Sequence, residues 1–346
     1  MIRRCIETGF VALLVLCGCA ELEFDLPSIV RGPRVLAVIA DRPEVAPGDE
    51  VRVHALIADP RPVAERGEVE LRWTMCLASG GLASGGFGGA GAFGVSAAEQ
   101  FGASVAEPGC EVGSPFTTAL AVEGSEAIVP GECADPARPW QCTRGILELF
   151  AAVGSESGVP PALIEQIADT VGIAITVHVE VYVEGALEVR AFKRINITRR
   201  GLRSTNPPPP RFAVGDVWMS ARGESDPHIC APERGERPVV AGLAEVQLRP
   251  DPTDLEWLET FPIVSLDGTA GEGRENAYYT WFSTAGEWDP AVSVAPTRNT
   301  VWLSPDAVGI YPIWVVVRDG HLGQSACRIE VEVVDVVPPY SHIERL

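Results

Sequence analysis

The sequence has little positive charge. It holds 27 lysines and arginines against 47 aspartates and glutamates, which gives a formal net charge of −20. An acidic surface repels the phosphates of nucleic acids and the headgroups of anionic lipids. The composition therefore argues against DNA and RNA as partners, whereas a hydrophobic fraction of 46% is ample for buried cores.

Motifs for catalysis and metal binding are also missing from the sequence. It has no HExxH spacing and no GxSxG nucleophile elbow. Its five histidines are His54, His178, His228, His321 and His342. His54 and His178 fall on the outward faces of predicted strands, which indicates solvated side chains. We therefore predict that the protein is not an enzyme and needs no cofactor.

Two glycine strings, one beginning at Gly86 and one at Gly89, match the dinucleotide pattern GxGxxG. That pattern binds a pyrophosphate only between a strand and a helix N-terminus. Neither flank is predicted here. The eight glycines within residues 80–94 instead predict a mobile surface loop.

The N-terminal apolar run is too short to cross a bilayer, which takes about 20 apolar residues. Residues 10–16 (FVALLVL) follow Arg3 and Arg4, and this combination predicts an export signal over residues 1–18. The segment ends with Leu16, Cys17, Gly18 and Cys19. An aliphatic residue, a small residue and then cysteine resemble the lipobox of bacterial lipoproteins.

The resemblance implies cleavage before Cys19 and attachment of diacylglycerol and palmitate-type acyl chains to that cysteine, which would anchor the chain to a membrane. Ala20 rather than aspartate follows, which implies the outer membrane of the cell envelope. Residues 19–33 would be a tether that keeps the first domain near the membrane and leaves the second facing away. An ordinary secretory signal with incidental cysteines is the alternative.

Six cysteines remain after the signal and Cys19 are set aside, and an even number in an exported chain predicts disulfides. A proline-rich segment separates the first four from the last two. The predicted pairs are Cys76–Cys110, Cys133–Cys142 and Cys230–Cys327. A zinc site is the alternative, but no CxxC or nearby Cys/His grouping supports it.

Alternating strands begin soon after the tether. A first apolar strand and the turn VAPGD at 45–49 precede an alternating strand at 51–57, and a strand carrying Trp73 comes next. This order resembles the start of bacterial immunoglobulin-like domains, in which a tryptophan fills the space between two sheets. The fold class predicted is therefore mainly β, with a first antiparallel sandwich over 34–204.

We predict an insertion at about 77–172 in this first sandwich, Gly-rich and then partly helical. Helices are expected at 146–153 and 160–171, the second bounded by Pro160 and Gly172. A hydrolase with its site in this insertion is an alternative function. The absence of histidine from the insertion weighs against it.

The proline-rich segment at 205–211 predicts an extended, semi-rigid linker. A second sandwich over 212–337 and a tail at 338–346 would follow. Tyr279-x-Trp281, Gly309-x-Tyr311 and the Asp-Gly turn at 319 resemble PKD-type domains, a branch of the immunoglobulin-like sandwiches. The acidic turn that often follows the central strand of PKD-type domains is replaced here by WFSTAGEWD at 281–289.

Acidic and aromatic side chains near strand ends are the candidates for ligand binding. Clustered carboxylates suit calcium, although no EF-hand spacing is present. Those carboxylates are Asp216, Glu224, Asp226, Glu272, Glu275, Glu287, Asp289 and Asp319. Four tryptophans fit core positions (Trp73, Trp281, Trp302, Trp314), and four lie near turns (Trp140, Trp218, Trp257, Trp288). The second four would either stack on sugars or partners, or cap the sandwich ends.

The sequence therefore predicts a non-catalytic, membrane-anchored surface lipoprotein. It would serve adhesion, scaffolding or envelope assembly through protein partners. A carbohydrate- or calcium-dependent binding module is the alternative.

Overall fold

The structure is a computed structural model. It describes residues 28–77, 117–123, 125–156, 160–223, 228–251, 255–264, 269–294 and 298–335. Within this part of the chain, no helix is both long and apolar enough to span a membrane.

Over its described residues, the first sandwich has nine strands and two α-helices. The strands are β1 (Arg34–Ala40), β2 (Glu44–Val45), β3 (Val51–Ala58), β4 (Val69–Leu77), β5 (Thr117–Ala119), β6 (Ala121–Glu123), β7 (Glu126–Val129), β8 (Ile173–Val183) and β9 (Ala186–Ile197). The helices are α1 (Thr143–Glu156) and α2 (Pro161–Thr170), and short 3-10 turns lie at Val63–Glu65 and Pro139–Gln141.

These strands form two sheets in the immunoglobulin-like order. One sheet runs β1-β3-β7-β6 and the other β2-β9-β8-β4-β5. They occupy the A, B, E, D places and the A′, G, F, C, C′ places of that fold. The short β2 pairs in parallel with β9, whereas the other pairs are antiparallel. The predicted mainly β, immunoglobulin-like fold is confirmed.

The predicted insertion at about 77–172 is too long, because three strands of the sandwich lie inside it. Strand β7 pairs with β3, β6 pairs with β7, and β5 pairs with β4. Each of the three is only three or four residues long, which is too short for an alternating pattern to stand out. Only the helical segment between β7 and β8 interrupts the described strand order.

Alternation along the strands explains the core of the first sandwich. In β8, Ile175, Val177, Val179 and Val181 are fully buried, and they share this core with Trp73 of β4. The turn from β8 to β9 uses Glu184 and Gly185, both with positive φ. Two positive φ angles suit the right-handed twist of a tight hairpin.

The second sandwich is also built from two packed sheets, one of six described strands and one of five. Its strands are β10 (Phe212–Val214), β11 (Val217–Ala221), β12 (Cys230–Pro232), β13 (Val239–Ala241), β14 (Glu245–Pro250), β15 (Thr260–Val264), β16 (Ala270–Arg274), β17 (Tyr278–Ser283), β18 (Glu287–Asp289), β19 (Val292–Val294), β20 (Thr300–Leu303), β21 (Gly309–Arg318) and β22 (Gln324–Val334). One sheet runs β12-β11-β10-β14-β20-β18, the other β13-β22-β21-β17-β19, and β15 and β16 form a separate hairpin.

Tryptophans fill the second core as expected. Trp281 on β17 and Trp302 on β20 are fully buried, and Trp281 lies at the same place in the fold as Trp73. Phe212 contacts Trp281 edge-on, with 5.6 Å between ring centroids. The loop between β21 and β22 turns at Gly320, whose φ of +78° favours glycine.

Residues 28–30, within the predicted tether, lie against the second sandwich. The Val30 N–H donates to the Ser283 carbonyl at 2.8 Å, and the Ser283 N–H donates to the Ser28 carbonyl at 3.0 Å. The chain thus reaches β1 along the second sandwich. The expectation that the tether keeps the first sandwich near the membrane and leaves the second facing away stays a prediction.

Candidate functional site

The two sandwiches meet through a buried surface that we call the joint. Its apolar half is a cluster of buried side chains from both sandwiches. Val30 comes from the segment before β1, the first sandwich contributes Leu36, Ala37, Ile39 and Ala58, and the second contributes Phe282, Trp314, Val316 and Ala326. The second set lies on the outer face of β17, β21 and β22, away from that sandwich's own core. A sheet face that normally meets water is therefore covered by the neighbouring sandwich.

Strand β1 supplies the first sandwich's share of the apolar half because it is buried on both faces. Val35 and Val38 point into the first core, whereas Leu36 and Ile39 point into the joint. A run of six consecutive apolar residues is typical of a strand covered on both sides. Buried Arg318 adds a polar tie, since its guanidinium donates to the Leu36 carbonyl at 3.2 Å.

The polar half of the joint begins at Glu44, which is buried on β2. Its carboxylate forms an ion pair with Arg200 and accepts the Ser204 backbone N–H at 2.8 Å. Lys193 on β9 is also buried, and its ammonium group donates to the Leu322 carbonyl of the second sandwich. Buried charges are stabilised only when they are paired in this way.

The loop between β21 and β22 faces these groups from the second sandwich. Asp319 is buried and accepts the backbone N–H groups of His321 at 2.7 Å and Gly323 at 2.6 Å. The His321 ring stacks on Phe261 of β15, with 3.9 Å between centroids. A Cβ atom on Gly323 would lie 2.8 Å from the Thr205 carbonyl, so glycine lets the linker contact this loop.

The linker is fixed to both sandwiches. The Asn206 amide donates to the Ala40 carbonyl at 2.7 Å, and its oxygen accepts the Gln324 N–H at 3.0 Å. The Ser325 hydroxyl donates to the Pro208 carbonyl at 2.9 Å. The segment predicted as a semi-rigid spacer therefore holds the sandwiches together rather than apart.

Burial sets the protonation states within the joint. Burial, together with the nearby carboxylate of Asp319, raises the pKa of Glu275 to about 8, against the effect of a hydrogen bond from the Glu259 N–H. Burial also raises the pKa of Asp319 to about 6, against the backbone N–H groups and Lys193. Burial, with Arg200 and Lys193, lowers the pKa of His321 to about 4. Near pH 7, Glu275 is therefore mostly protonated and His321 is neutral.

Replacing Glu275 by glutamine is expected to stabilise the protein at alkaline pH. Its pKa in the folded chain is above the ordinary value of 4.5, so its contribution is complete below pH 4.5 and is lost as the pH rises through about 8. Glutamine cannot ionise and keeps an acceptor for the Glu259 N–H. We expect Glu275→Gln to unfold like the wild type at pH 5 but to be about 2–4 kcal/mol more stable at pH 8.5.

The measurement is chemical denaturation of both chains at a series of pH values. Glu272→Gln is the matched control, because Glu272 lies on neighbouring β16 and is exposed. The control should follow the wild type throughout. Parallel pH curves for wild type and Glu275→Gln would contradict the assignment of a buried, protonated carboxyl to the joint.

Among the calcium candidates that the structure describes, Glu275 and Asp319 lie close enough to interact. Asp216 is fully exposed near an arginine, and Glu272, Glu287 and Asp289 are exposed. Glu224 and Asp226 lie outside the described residues. In the part of the chain that the structure describes, no group of three or more histidines, cysteines, aspartates or glutamates is placed to hold a metal ion.

The predictions for His54 and His178 as solvated side chains are corrected by the structure. His54 on β3 contacts the His228 ring of the second sandwich at 4.2 Å between centroids, and burial together with His228 lowers the pKa of His54 to about 4. His178 is partly buried beside Phe192, at 5.8 Å between centroids. The outward face of β3 meets the neighbouring sandwich rather than water.

Tryptophans predicted to be buried are buried, with Trp314 in the joint instead of a sandwich core. The four predicted near turns are partly buried: Trp140, Trp218, Trp257 and Trp288. Trp288 stacks on Trp281 at 5.9 Å and donates to the Ser283 hydroxyl at 2.9 Å. Arg211 covers the Trp218 ring at 4.2 Å. These contacts favour structural roles over sugar stacking.

Two predicted disulfides are present. Cys133 pairs with Cys142 at a Cα–Cα distance of 4.9 Å, and Cys230 pairs with Cys327 at 5.6 Å. Cys76 is buried at the end of β4, whereas Cys110 lies outside the described residues. The Cys76–Cys110 disulfide therefore stays a prediction. The same holds for the lipid attachment at Cys19 and for the loop predicted from the glycine strings at 86–94.

The joint was missed at the level of sequence. Glu44 and Arg200 are 156 residues apart, and no local pattern links them. One signal was available, namely the unbroken apolar run at 35–40. It indicates a strand covered on both faces, which a single sandwich with one solvent-exposed face does not require.

The strand orders define a protein of two immunoglobulin-like β-sandwiches. No family model matches the chain, and no curated protein matches it. Among solved structures, the D0-D1 domain of intimin shows 9% identity over 86% of this chain and 98% of that one, with a TM-score of 0.17. Murine CEACAM1b shows 10% identity over 86% and 99%, with a TM-score of 0.20. The Yersinia pseudotuberculosis adhesin InvE shows 10% identity over 85% and 58%, with a TM-score of 0.17.

These TM-scores are far below 0.5, so the likeness carries no argument about relationship or function. The fold assignment rests on the strand order and registers of the chain itself.

Proposed function

We propose that the protein is a non-catalytic surface lipoprotein of the cell envelope that presents two joined sandwiches to a protein partner. The observation that carries this proposal is the joint. Domains within one chain usually move relative to one another unless their interface is large and hydrophobic. Here a buried tryptophan, a paired carboxylate and a bound linker all act at one interface.

A fixed two-sandwich body suits adhesion, scaffolding or envelope assembly. Binding through a rigid surface avoids the entropy that flexible domains lose when they are ordered on a partner. The joint itself is filled by its own side chains, and Glu44, Lys193 and Asp319 hold the linker and the loop at 319–323. The residues of the joint therefore keep the shape of the protein, and the outer surfaces would meet the partner.

The anchor belongs to the same proposal and rests on the lipobox-like end of the signal at Cys19. Two or more acyl chains hold a protein stably at a membrane, whereas one chain does so only marginally. Attachment in the outer membrane is the proposed location. Under this proposal, residues 28–30, which hydrogen-bond with Ser283 of β17, would hold the second sandwich near the point of attachment as well.

Changing Cys19 to serine is expected to move the protein from the membrane fraction to the soluble fraction. The hydroxyl cannot receive the thioether-linked lipid, so incorporation of a labelled palmitate analogue should fall to background. Fractionation and lipid labelling of the expressed chain give the measurement. Cys17→Ser is the matched control and should remain anchored and labelled. A Cys19→Ser chain that stays in the membrane would show that the anchor proposal is wrong.

The partner is tested separately by crosslinking the anchored chain in intact envelopes. A defined envelope protein should be captured by the wild type. It should be lost with variants of the outer surfaces that leave the joint unchanged. A chain that crosslinks only to neighbouring lipids would contradict a role through protein partners.

A further inference from the structure

A groove of about 380 Å³ opens along one edge of the second sandwich. It lies between β12, the edge strand of one sheet, and β22 of the other. The side chains used in the argument are Arg222, Arg237, Arg328 and Glu330. The Cys230–Cys327 disulfide joins the two strands beside the groove.

The groove exists because the pairing along the edge of β22 is interrupted. The Arg328 N–H donates to the His228 carbonyl at 2.8 Å, and the Glu332 N–H donates to the Pro238 carbonyl at 2.9 Å. Between these contacts the neighbouring chain leaves the sheet to form β12 and the loop that follows. The backbone of Glu330 lies between the paired residues Arg328 and Glu332 and, among the described residues, has no strand partner on this edge. Strand alternation directs its N–H and carbonyl toward the same edge as those of Arg328 and Glu332.

Three guanidinium groups surround this gap, and one carboxylate partly balances them. Glu330 lies 3.0 Å from Arg328 and 3.7 Å from Arg237. All three of these side chains are 40–45% exposed, so their ion pairs are weak and readily exchanged. Arg222 makes no side-chain hydrogen bond or ion pair within the described chain. The groove is thus positively charged in a chain whose net charge is −20.

We propose that this groove binds the carboxylate of an extended acidic segment of a protein partner. Arginine presents paired N–H donors that match a carboxylate, and the Glu330 N–H would extend β22 by main-chain pairing. Glu330 already sets a carboxylate between two of the arginines, which shows that the spacing suits this group. The inference deepens the proposed function, because it names the chemistry of the protein partner.

An acidic segment fits better than a nucleic acid or a lipid surface. Long polyanions would meet the acidic remainder of the molecule, which repels them. A single carboxylate from a strand occupies a small site and contacts only the positively charged edge. The volume is at the lower end of the range for small-ligand sites, which also suits one side chain rather than a large headgroup.

The test uses the full-length chain purified in detergent and a fluorescein-labelled hexapeptide of alternating glutamate and valine. Fluorescence anisotropy at low salt should show saturable binding. The same peptide with glutamine in place of glutamate should bind about tenfold or more weakly, because charged hydrogen bonds are lost. Raising the salt to about 0.5 M should weaken binding through screening.

Variants locate the site. Arg222→Ala combined with Arg328→Ala should weaken peptide binding about tenfold or more. Arg274→Ala is the matched control, because it removes an exposed arginine on β16 outside the groove and should leave affinity unchanged. Glu330→Gln should bind the peptide about threefold or more tightly, because it removes the internal competitor while leaving the backbone N–H in place. Circular dichroism confirms that each variant is folded.

Equal binding of the glutamate and glutamine peptides would overturn the proposal, as would unchanged affinity in the double arginine variant. Binding of inorganic phosphate without any peptide binding would assign the groove to a small anion and also overturn it. The assay contains no membrane. Failure here leaves the anchor unaffected, and failure of the Cys19→Ser experiment leaves the groove unaffected.

Discussion

Replacing Trp314 by alanine is expected to destabilise the protein by about 3–5 kcal/mol and to uncouple its two sandwiches. Trp314 is only 4% exposed, yet it faces the joint rather than the core of its own sandwich. Its loss leaves a cavity against Phe282 and the residues of β1. The lost free energy of unfolding should therefore come from the contact between the sandwiches, and each sandwich should still fold.

The measurement combines guanidinium unfolding with small-angle X-ray scattering. Both sandwiches of the wild type should unfold in a single transition. Trp314→Ala should show two separate transitions, and its radius of gyration should already be larger at guanidinium concentrations below the first of them. Ile310→Ala is the matched control, since Ile310 lies on the same face of β21 but is 54% exposed. A Trp314 variant that unfolds in one step at the wild-type midpoint would show that the joint contributes little.

Much of each sandwich could be predicted because its pattern is local. Alternation in β8 and the tryptophans on β4 and β17 follow from a period of two residues, which any half-buried strand displays. Helix α2 was delimited by Pro160 and Gly172, and Gly172 has a φ of +82° at the helix end. Such signals depend on neighbours within a few residues, so sequence alone is enough to interpret them.

The same reasoning did not predict the short strands. Strands β5, β6 and β7 span three or four residues each, so their alternation cannot be told from that of a loop. Their place in the sheets is decided by pairing with β3 and β4 across a long separation in the chain. A Gly-rich stretch before them led to the prediction of a single long insertion.

Apart from the apolar run at 35–40, no local pattern predicted the contacts of the joint or of the groove. His54 was assigned to water because its strand alternates, but the face that it occupies meets a second sandwich. The pKa shifts of Glu275 and Asp319 arise from burial by elements far apart in sequence. The groove depends on a gap in strand pairing at Glu330, and no residue type marks that gap.

Removing the Cys230–Cys327 disulfide is expected to cost about 4–5 kcal/mol, which is more than removing Cys133–Cys142 would cost. A disulfide stabilises chiefly by restricting the unfolded chain, and the effect grows with the length of the loop that it closes. Cys230 and Cys327 are 97 residues apart in the sequence, whereas Cys133 and Cys142 are 9 residues apart. For the short loop the same relation gives about 2–3 kcal/mol.

Double Cys→Ala variants of each pair provide the comparison, with unfolding followed in guanidinium under oxidising conditions. Each double variant should lower the single unfolding midpoint, and the Cys230/Cys327 variant should lower it more than the Cys133/Cys142 variant. The larger effect also has a functional consequence, because the 230–327 bond ties β12 to β22 beside the arginine groove. The variant that lacks it should lose affinity for the acidic peptide even at temperatures where the second sandwich stays folded. Equal destabilisation by the two double variants would show that chain restriction is not what these disulfides contribute.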